Sequence, residues 1–221
     1  MSDITIRRLG RQDYEPVWHA MQQFTNTRDA DTADEIWFTE HNPVFTLGVN
    51  ANREHLLAPG DIPVVQVDRG GQVTYHGPGQ LMLYALIDLR RAGIGIRSLV
   101  TALEQSAIEL AAQYKIEAAS RSDAPGVYVD GVKLASVGLR IRRGASFHGM
   151  ALNVAVDLEP FTRINPCGFS NLKVTDLTRL GAECGLERAR QLLLPKFLKH
   201  LHFDDAGVID GPAELPGFAA K

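Results

Sequence analysis

Residues 126–156 read GVYVDGVKLASVGLRIRRGASFHGMALNVAV, and this stretch decides the fold class. Asp130-Gly131 falls between two runs of apolar and β-branched residues. That dipeptide is a strong hairpin signal, because a two-residue turn needs positive φ at its centre. Strands are expected at Gly126–Val129, Leu134–Arg142 and Ser146–Val156, following one another with no helix between them. Strands that arrive in runs, with helices between groups of them, favour α+β over a doubly wound parallel sheet.

Outward from there, Leu81–Leu89 (LMLYALIDL) is apolar enough to be a buried strand. Shorter strands are expected at Glu35–Glu40, Pro43–Leu47 and Pro63–Val67, separated by Gly, Asn and Pro. Helical spacing of Trp18, Met21 and Phe24 or Thr25 marks a helix over Tyr14–Arg28. A second is expected over Leu99–Tyr114, capped by Ser98, with Leu103, Ala107 and Leu110 in register. A third covers about Leu186–Leu201 and is expected to break near Pro195. The tail from Ala206 reads as loose. The expected architecture is α+β, a mixed sheet flanked by helices in a single domain over residues 1–221.

A chain of 221 residues with 45% hydrophobic and 22% charged residues builds a core and excludes disordered and fibrous classes. The net charge of −3 argues against a general nucleic-acid binder. The opening MSDITIRRLGRQDYEPVW has charges where a signal peptide needs an apolar run, and no apolar stretch is long enough for a membrane span. Only Cys167 and Cys184 are present. A secreted disulfide scaffold would be richer in cysteine, so a cytoplasmic location without a disulfide is expected.

Three segments carry chemistry. Residues 68–80, DRGGQVTYHGPGQ, place four glycines among Arg69, Tyr75 and His76. Glycines let a backbone approach a ligand closely, and the arginine offers a planar donor fork suited to carboxylate or phosphate. The segment matches neither nucleotide-binding fingerprint, and its plain alternative is a turn between strands. Residues 132–138, VKLASVG, set Lys133 in an apolar strand. Such a lysine either snorkels to water or, when buried, is available for acid/base work. Residues 163–169, RINPCGF, flank Cys167 with Pro and Gly, as in a turn that presents the sulfur. A thiol there needs a nearby cation or base to react as thiolate at neutral pH. Cys184 reads as a small buried hydrophobe. His76 and His148 lie at no metal-site spacing, so neither a metal nor a cofactor is expected.

RGGQVTYHGPGQ, APGVYVDGVKLASVGLRIRRGASFHGMALNV and FTRINPCGF, together with EHNPVFTLG upstream, resemble the lipoyl(octanoyl) transferases, also called lipoate–protein ligase B. The resemblance runs from about Ala30 to Leu177 and implies the biotin/lipoyl protein ligase fold, with a catalytic core over about residues 30–205. It implies transfer of an octanoyl group from octanoyl-acyl carrier protein to a lysine of a lipoyl domain. The acceptors implied are the 2-oxoacid dehydrogenase complexes and the glycine cleavage H protein, and no ATP is needed. Matched by motif, Cys167 is the acyl-thioester nucleophile and Lys133 its acid/base partner. Arg69, Gly70, Gly71, Gln72, Val73, Thr74, Tyr75 and His76, then Ser136, Val137 and Gly138, then Gly149, Met150 and Ala151, match the substrate-binding stretches. Val137 departs from the family's usual isoleucine or leucine.

Gly70, Gly71, Ser136 and Gly138 are small enough to admit an acyl chain, and His76 or a backbone N–H near Cys167 is a candidate donor to the carbonyl oxygen. Arg140, Arg142 and Arg143 are either docking residues for acidic protein substrates or a solvated strand face. Two other readings stay open. An ATP-dependent lipoate or biotin ligase would share the fold without needing that cysteine, and a non-catalytic module would only hold the acyl chain.

Overall fold

The computed structural model describes residues 3–166, 172–203 and 207–216. Three helices, α1 (Tyr14–Thr27), α2 (Ile96–Ala112) and α3 (Leu186–His200), pack around two sheets. The larger sheet uses β1 (Ile4–Gln12), β2 (Asp34–His41), β6 (Gln80–Leu86), β7 (Ala119–Ser120), β8 (Gly126–Val129), β9 (Val132–Arg142), β10 (Ala145–Asn153) and β11 (Val208–Asp210). Its order is β11-β1-β2-β6-β10-β9-β8-β7. β1 is parallel to both β2 and β11, and the remaining pairs are antiparallel, so the sheet is mixed and the fold α+β. The smaller sheet has β3 (Val44–Leu47) between β4 (Val64–Gln66) and β5 (Val73–His76).

The central strands are apolar on both sides because both sides are covered. In β2 and β6, Ile36, Phe38, Leu81, Leu83 and Ala85 face α2 and α3, where Leu99, Leu103, Leu110, Leu193 and Phe197 meet them. The intervening Trp37, Met82, Tyr84 and Leu86 face α1 and its Val17, Ala20 and Met21. The side-chain period of two along a strand thus assigns alternate residues to two separate cores.

Four expectations change. α2 begins at Ile96 with Gly95 as N-cap, so Ser98 lies inside the first turn and caps nothing. α3 runs unbroken through Pro195. The carbonyl deprived of its donor belongs to Gln191, which is exposed and therefore reachable by water. The first strand, β1, has a short apolar alternation, Ile4 and Ile6, that gives no strong signal by itself. The tail expected to be loose contributes β11, which pairs with Ile4, Thr5 and Ile6.

Candidate active site

Between the two sheets lies a narrow cavity of about 60 Å³. Its walls come from the glycine loop (Arg69, Gly70, Gly71, Gln72), from β5 (Val73, Thr74, His76), from β9 (Ser136, Val137, Gly138) and from β10 (Gly149, Met150, Ala151). Residues read from three separate stretches of sequence are therefore neighbours. Tyr14, Met82, Tyr84 and His148 complete the lining. The loop is tied to β9 by Gly70 N–H donating to Leu139 O at 3.0 Å. Gly149 is required by packing, since a Cβ there would run into the Leu83 carbonyl of β6.

Tyr75 is the exception among the substrate-binding candidates. β5 alternates, so Thr74 and His76 face the cavity while Tyr75 turns to the opposite core, its ring 5.6 Å from Phe45 and 5.4 Å from Phe161. Arg69 also differs from its expected use. Its guanidinium braces the loop, donating to Thr46 O at 2.8 Å, Gln72 O at 2.9 Å and Gly70 O at 3.0 Å.

Beneath the cavity, hydrogen bonds fix the histidine tautomers. Gln80 donates its amide to Asn153 Oδ1 at 2.9 Å, so its Oε1 accepts from His76 Nδ1–H at 2.8 Å. His76 Nε2 is then an acceptor facing Thr46 Oγ1 at 3.2 Å. That removes His76 as an N–H donor to a substrate carbonyl. His41 donates from Nδ1 to Gln12 O at 3.0 Å and accepts the Tyr84 hydroxyl on Nε2 at 2.6 Å. Burial holds both imidazoles neutral, His41 pushed down to about 4 and His76 well below its ordinary value, the latter also repelled by His41 and Arg69. Burial likewise raises the phenols of Tyr14 and Tyr84.

His148 sits in the left-handed region, φ 62°, so its ring stacks on that of Phe147 at 5.0 Å instead of alternating to the other face. Its Nε2–H donates to Asp68 Oδ1 at 2.9 Å, while Trp18 and Gln22 also donate to that carboxylate. His148 Nδ1 is buried without a hydrogen-bond partner. Tyr84 carried no recognisable signal, since an isolated ring residue in an apolar strand reads as core, and His148 stood out only as a histidine without metal-site spacing.

Lys133 does not snorkel. It is 2% exposed. Its Nζ donates to Tyr128 Oη at 3.1 Å and Pro125 O at 3.3 Å, and lies 5.1 Å from the centre of the Tyr128 ring. Its backbone bonds the chain that follows residue 171: Lys133 N–H donates to Lys173 O and Thr175 N–H donates to Lys133 O, each at 2.9 Å. Cys167 lies outside the described residues. Cys184 is buried and unbridged, packed in the core under α2 and α3. Arg140 and Arg142 are exposed on β9, and Arg143 donates to Asn26 O at 3.0 Å.

Residues 13–198 match the lipoyl protein ligase A/B catalytic domain. The chain belongs to that family. An octanoyltransferase of Pseudomonas fluorescens is 57% identical over 206 residues, covering 93% of this chain and 96% of the relative. The fold is also shared with a lipoate-protein ligase A bound with ATP, at TM-score 0.76 and 14% identity over 96% of this chain and 89% of that one. The bipartite lipoate protein ligase of Thermoplasma acidophilum matches at TM-score 0.75 and 14% identity, over 96% and 87% of the two chains. Among the described residues of this lipoyl ligase family member, no helix is long and apolar enough to cross a membrane.

Proposed function

We propose that this chain transfers an octanoyl group from octanoyl-acyl carrier protein to a lysine of a lipoyl domain, through an acyl thioester on Cys167 and without ATP. Its kinship with octanoyltransferases makes it an acyl-group transferase. The observation that carries the finer reading is the buried Lys133, three residues along β9 from the cavity wall at Ser136, its backbone bonded to the segment that follows the cysteine motif. A charged amine is costly to bury and is retained where its proton does work.

In the first half-reaction the Cys167 thiolate attacks the thioester carbon. A C–S bond to the enzyme forms, and the carrier's C–S bond breaks with its thiolate taking the proton of the Lys133 ammonium, which becomes the free amine. In the second half the neutral amine of the target lysine attacks, the Cys167 thiolate leaves, and an amide replaces the thioester. Lys133 favours the thiolate electrostatically and, as free amine, takes the proton the attacking nitrogen loses. One thioester replaces another and a more stable amide follows, so no nucleotide is needed to drive the transfer. The glycine-walled cavity receives the acyl chain, each methylene leaving water contributing about 0.8 kcal/mol. Arg140 and Arg142, exposed on β9, serve to dock the acidic carrier protein, and a reducing cytoplasm keeps the thiol free.

The test is the intact mass of the protein after incubation with octanoyl-acyl carrier protein and no ATP. The expected result is one octanoyl group, labile to hydroxylamine, mapped to Cys167 and transferred on adding a lipoyl domain. Transfer that appears only with ATP would instead assign the adenylate-forming chemistry of a ligase.

A further inference from the structure

The face of α2 that meets the sheet is apolar, Leu99, Leu103, Ala107 and Leu110, except for one carboxylate, Glu104, which is 6% exposed. Burying a carboxylate is unfavourable unless hydrogen bonds and an opposite charge offset it. Both are present. Glu104 Oε1 accepts from Gly126 N–H at 2.8 Å, and Lys133 is the cation whose field reaches it.

Gly126 leads into the collar that surrounds the Lys133 ammonium. Pro125 O and Tyr128 Oη accept from Nζ, the Tyr128 ring flanks it, and Tyr128 Oη in turn donates to Ala124 O at 2.9 Å. The backbone at Gly126 has φ 143°, and a Cβ there would fall 2.9 Å from Lys133 Cε. The collar therefore closes directly on the lysine stem, and the Glu104 bond ties it to α2.

We propose that Glu104 is a positioning residue for acyl transfer: it clamps Gly126 N–H, so fixing residues 124–128 around the Lys133 ammonium, and it places a negative charge on the α2 side of that collar. This inference rests on the acid/base role assigned above to Lys133. Burial raises the Glu104 carboxyl, while Gly126 N–H and Lys133 pull it back. Among the described residues, other ionisable groups around this point include Tyr128 from β8 and, outside the Tyr128 ring, Arg121, which is paired with Asp123. From α3, His200 pairs with Glu109 farther along α2.

The deciding variant is Glu104→Gln, which keeps an acceptor oxygen for Gly126 N–H and removes only the charge. The Lys133 ammonium is followed by NMR in protein labelled at lysine, assigned among the six lysines by Lys133→Arg. Loss of that negative charge is expected to move the Lys133 titration to lower pH, and the pH profile of octanoyl transfer moves to lower pH with it. Glu104→Ala, which loses the clamp as well, is expected to lower transfer at least about tenfold further. Linkage gives a converse that needs no change at Glu104: in Lys133→Met the Glu104 carboxyl titrates at higher pH. A Lys133 titration and pH profile unchanged in Glu104→Gln, with Glu104 unchanged in Lys133→Met, overturns the proposal and leaves Glu104 a helix–strand brace. If Lys133→Ala keeps full transfer while Glu104→Gln still shifts the Lys133 titration, the coupling stands and the catalytic reading of Lys133 fails.

Discussion

The two faces of the eight-stranded sheet differ sharply. Against α2 and α3 the residues are almost wholly Leu, Ile, Val, Ala and Phe, and Glu104 is the departure from that rule nearest Lys133. The face toward α1 and the small sheet buries His41, His76, His148, Tyr14, Tyr84 and Arg69 around a cavity. Buried polar groups generally find partners, and the second face is accordingly a chain of specific hydrogen bonds, with His148 Nδ1 an exception among the described residues. One side of the sheet supplies stability and the other carries the proposed binding site. Lys133, near the sheet's end, joins them by its bonds to the collar and by the chain paired along its backbone.

The comparison is most exposed at Lys133. Lys133→Ala is expected to reduce octanoyl transfer at least about 100-fold, as loss of a general acid/base does, and to lower thermal stability too, because Pro125 O and Tyr128 Oη lose their buried donor. Transfer at the wild-type rate would leave the polar face a binding device only.

On the apolar face, Leu103→Ala is expected to cost about 2–5 kcal/mol in denaturant unfolding while the KM for the acyl donor holds. Leu103 is fully buried and is not itself part of the cavity lining. A raised KM with unchanged stability would mean the two faces are not separate.

The polar face should reveal itself in pH. His41 titrates near 6.5 when unfolded and is pushed down to about 4 by burial. Between those values the unfolded chain takes up a proton that the folded chain refuses, so stability falls as pH drops, by about 3 kcal/mol for a shift of this size. Glu104, raised by burial, acts in the opposite sense above its unfolded pKa. Unfolding of wild type and His41→Gln compared across pH 4–7 isolates the histidine: the variant's slope should be shallower.

The smallest effect is one of selectivity. Ala151 lines the cavity from β10, and Ala151→Leu is expected to shift the preferred acyl chain shorter by one or two methylenes. At about 0.8 kcal/mol per methylene, that is roughly a four- to fifteenfold change in relative kcat/KM between octanoyl and hexanoyl donors. An unchanged ratio would move the acyl chain out of this cavity.

Much of this was legible in one dimension because the signals are local. The Asp130-Gly131 turn, the apolar run of β6 and the three-to-four spacing in α1, α2 and α3 depend on residues a few positions apart, so the α+β class follows from them. The glycine loop and the 136–138 and 149–151 stretches could be read as binding segments from their small residues and their resemblance to a family, and the cavity gathers them. What only the tertiary structure decided is long-range. β1 and β11 have weak intrinsic patterns and form because of the partners beside them: β1 pairs along β2, and β11 adds the edge by pairing with Ile4, Thr5 and Ile6 of β1. Tyr75 leaves the cavity through strand parity, and His148 enters it through a single left-handed φ. Arg69 finds partners on a strand 23 residues away, and Lys133 meets a collar hydrogen-bonded to a carboxylate on α2. A sequence states which groups a chain carries. Their charge state and direction depend on which segments packing brings within hydrogen-bonding distance, and no local pattern encodes that.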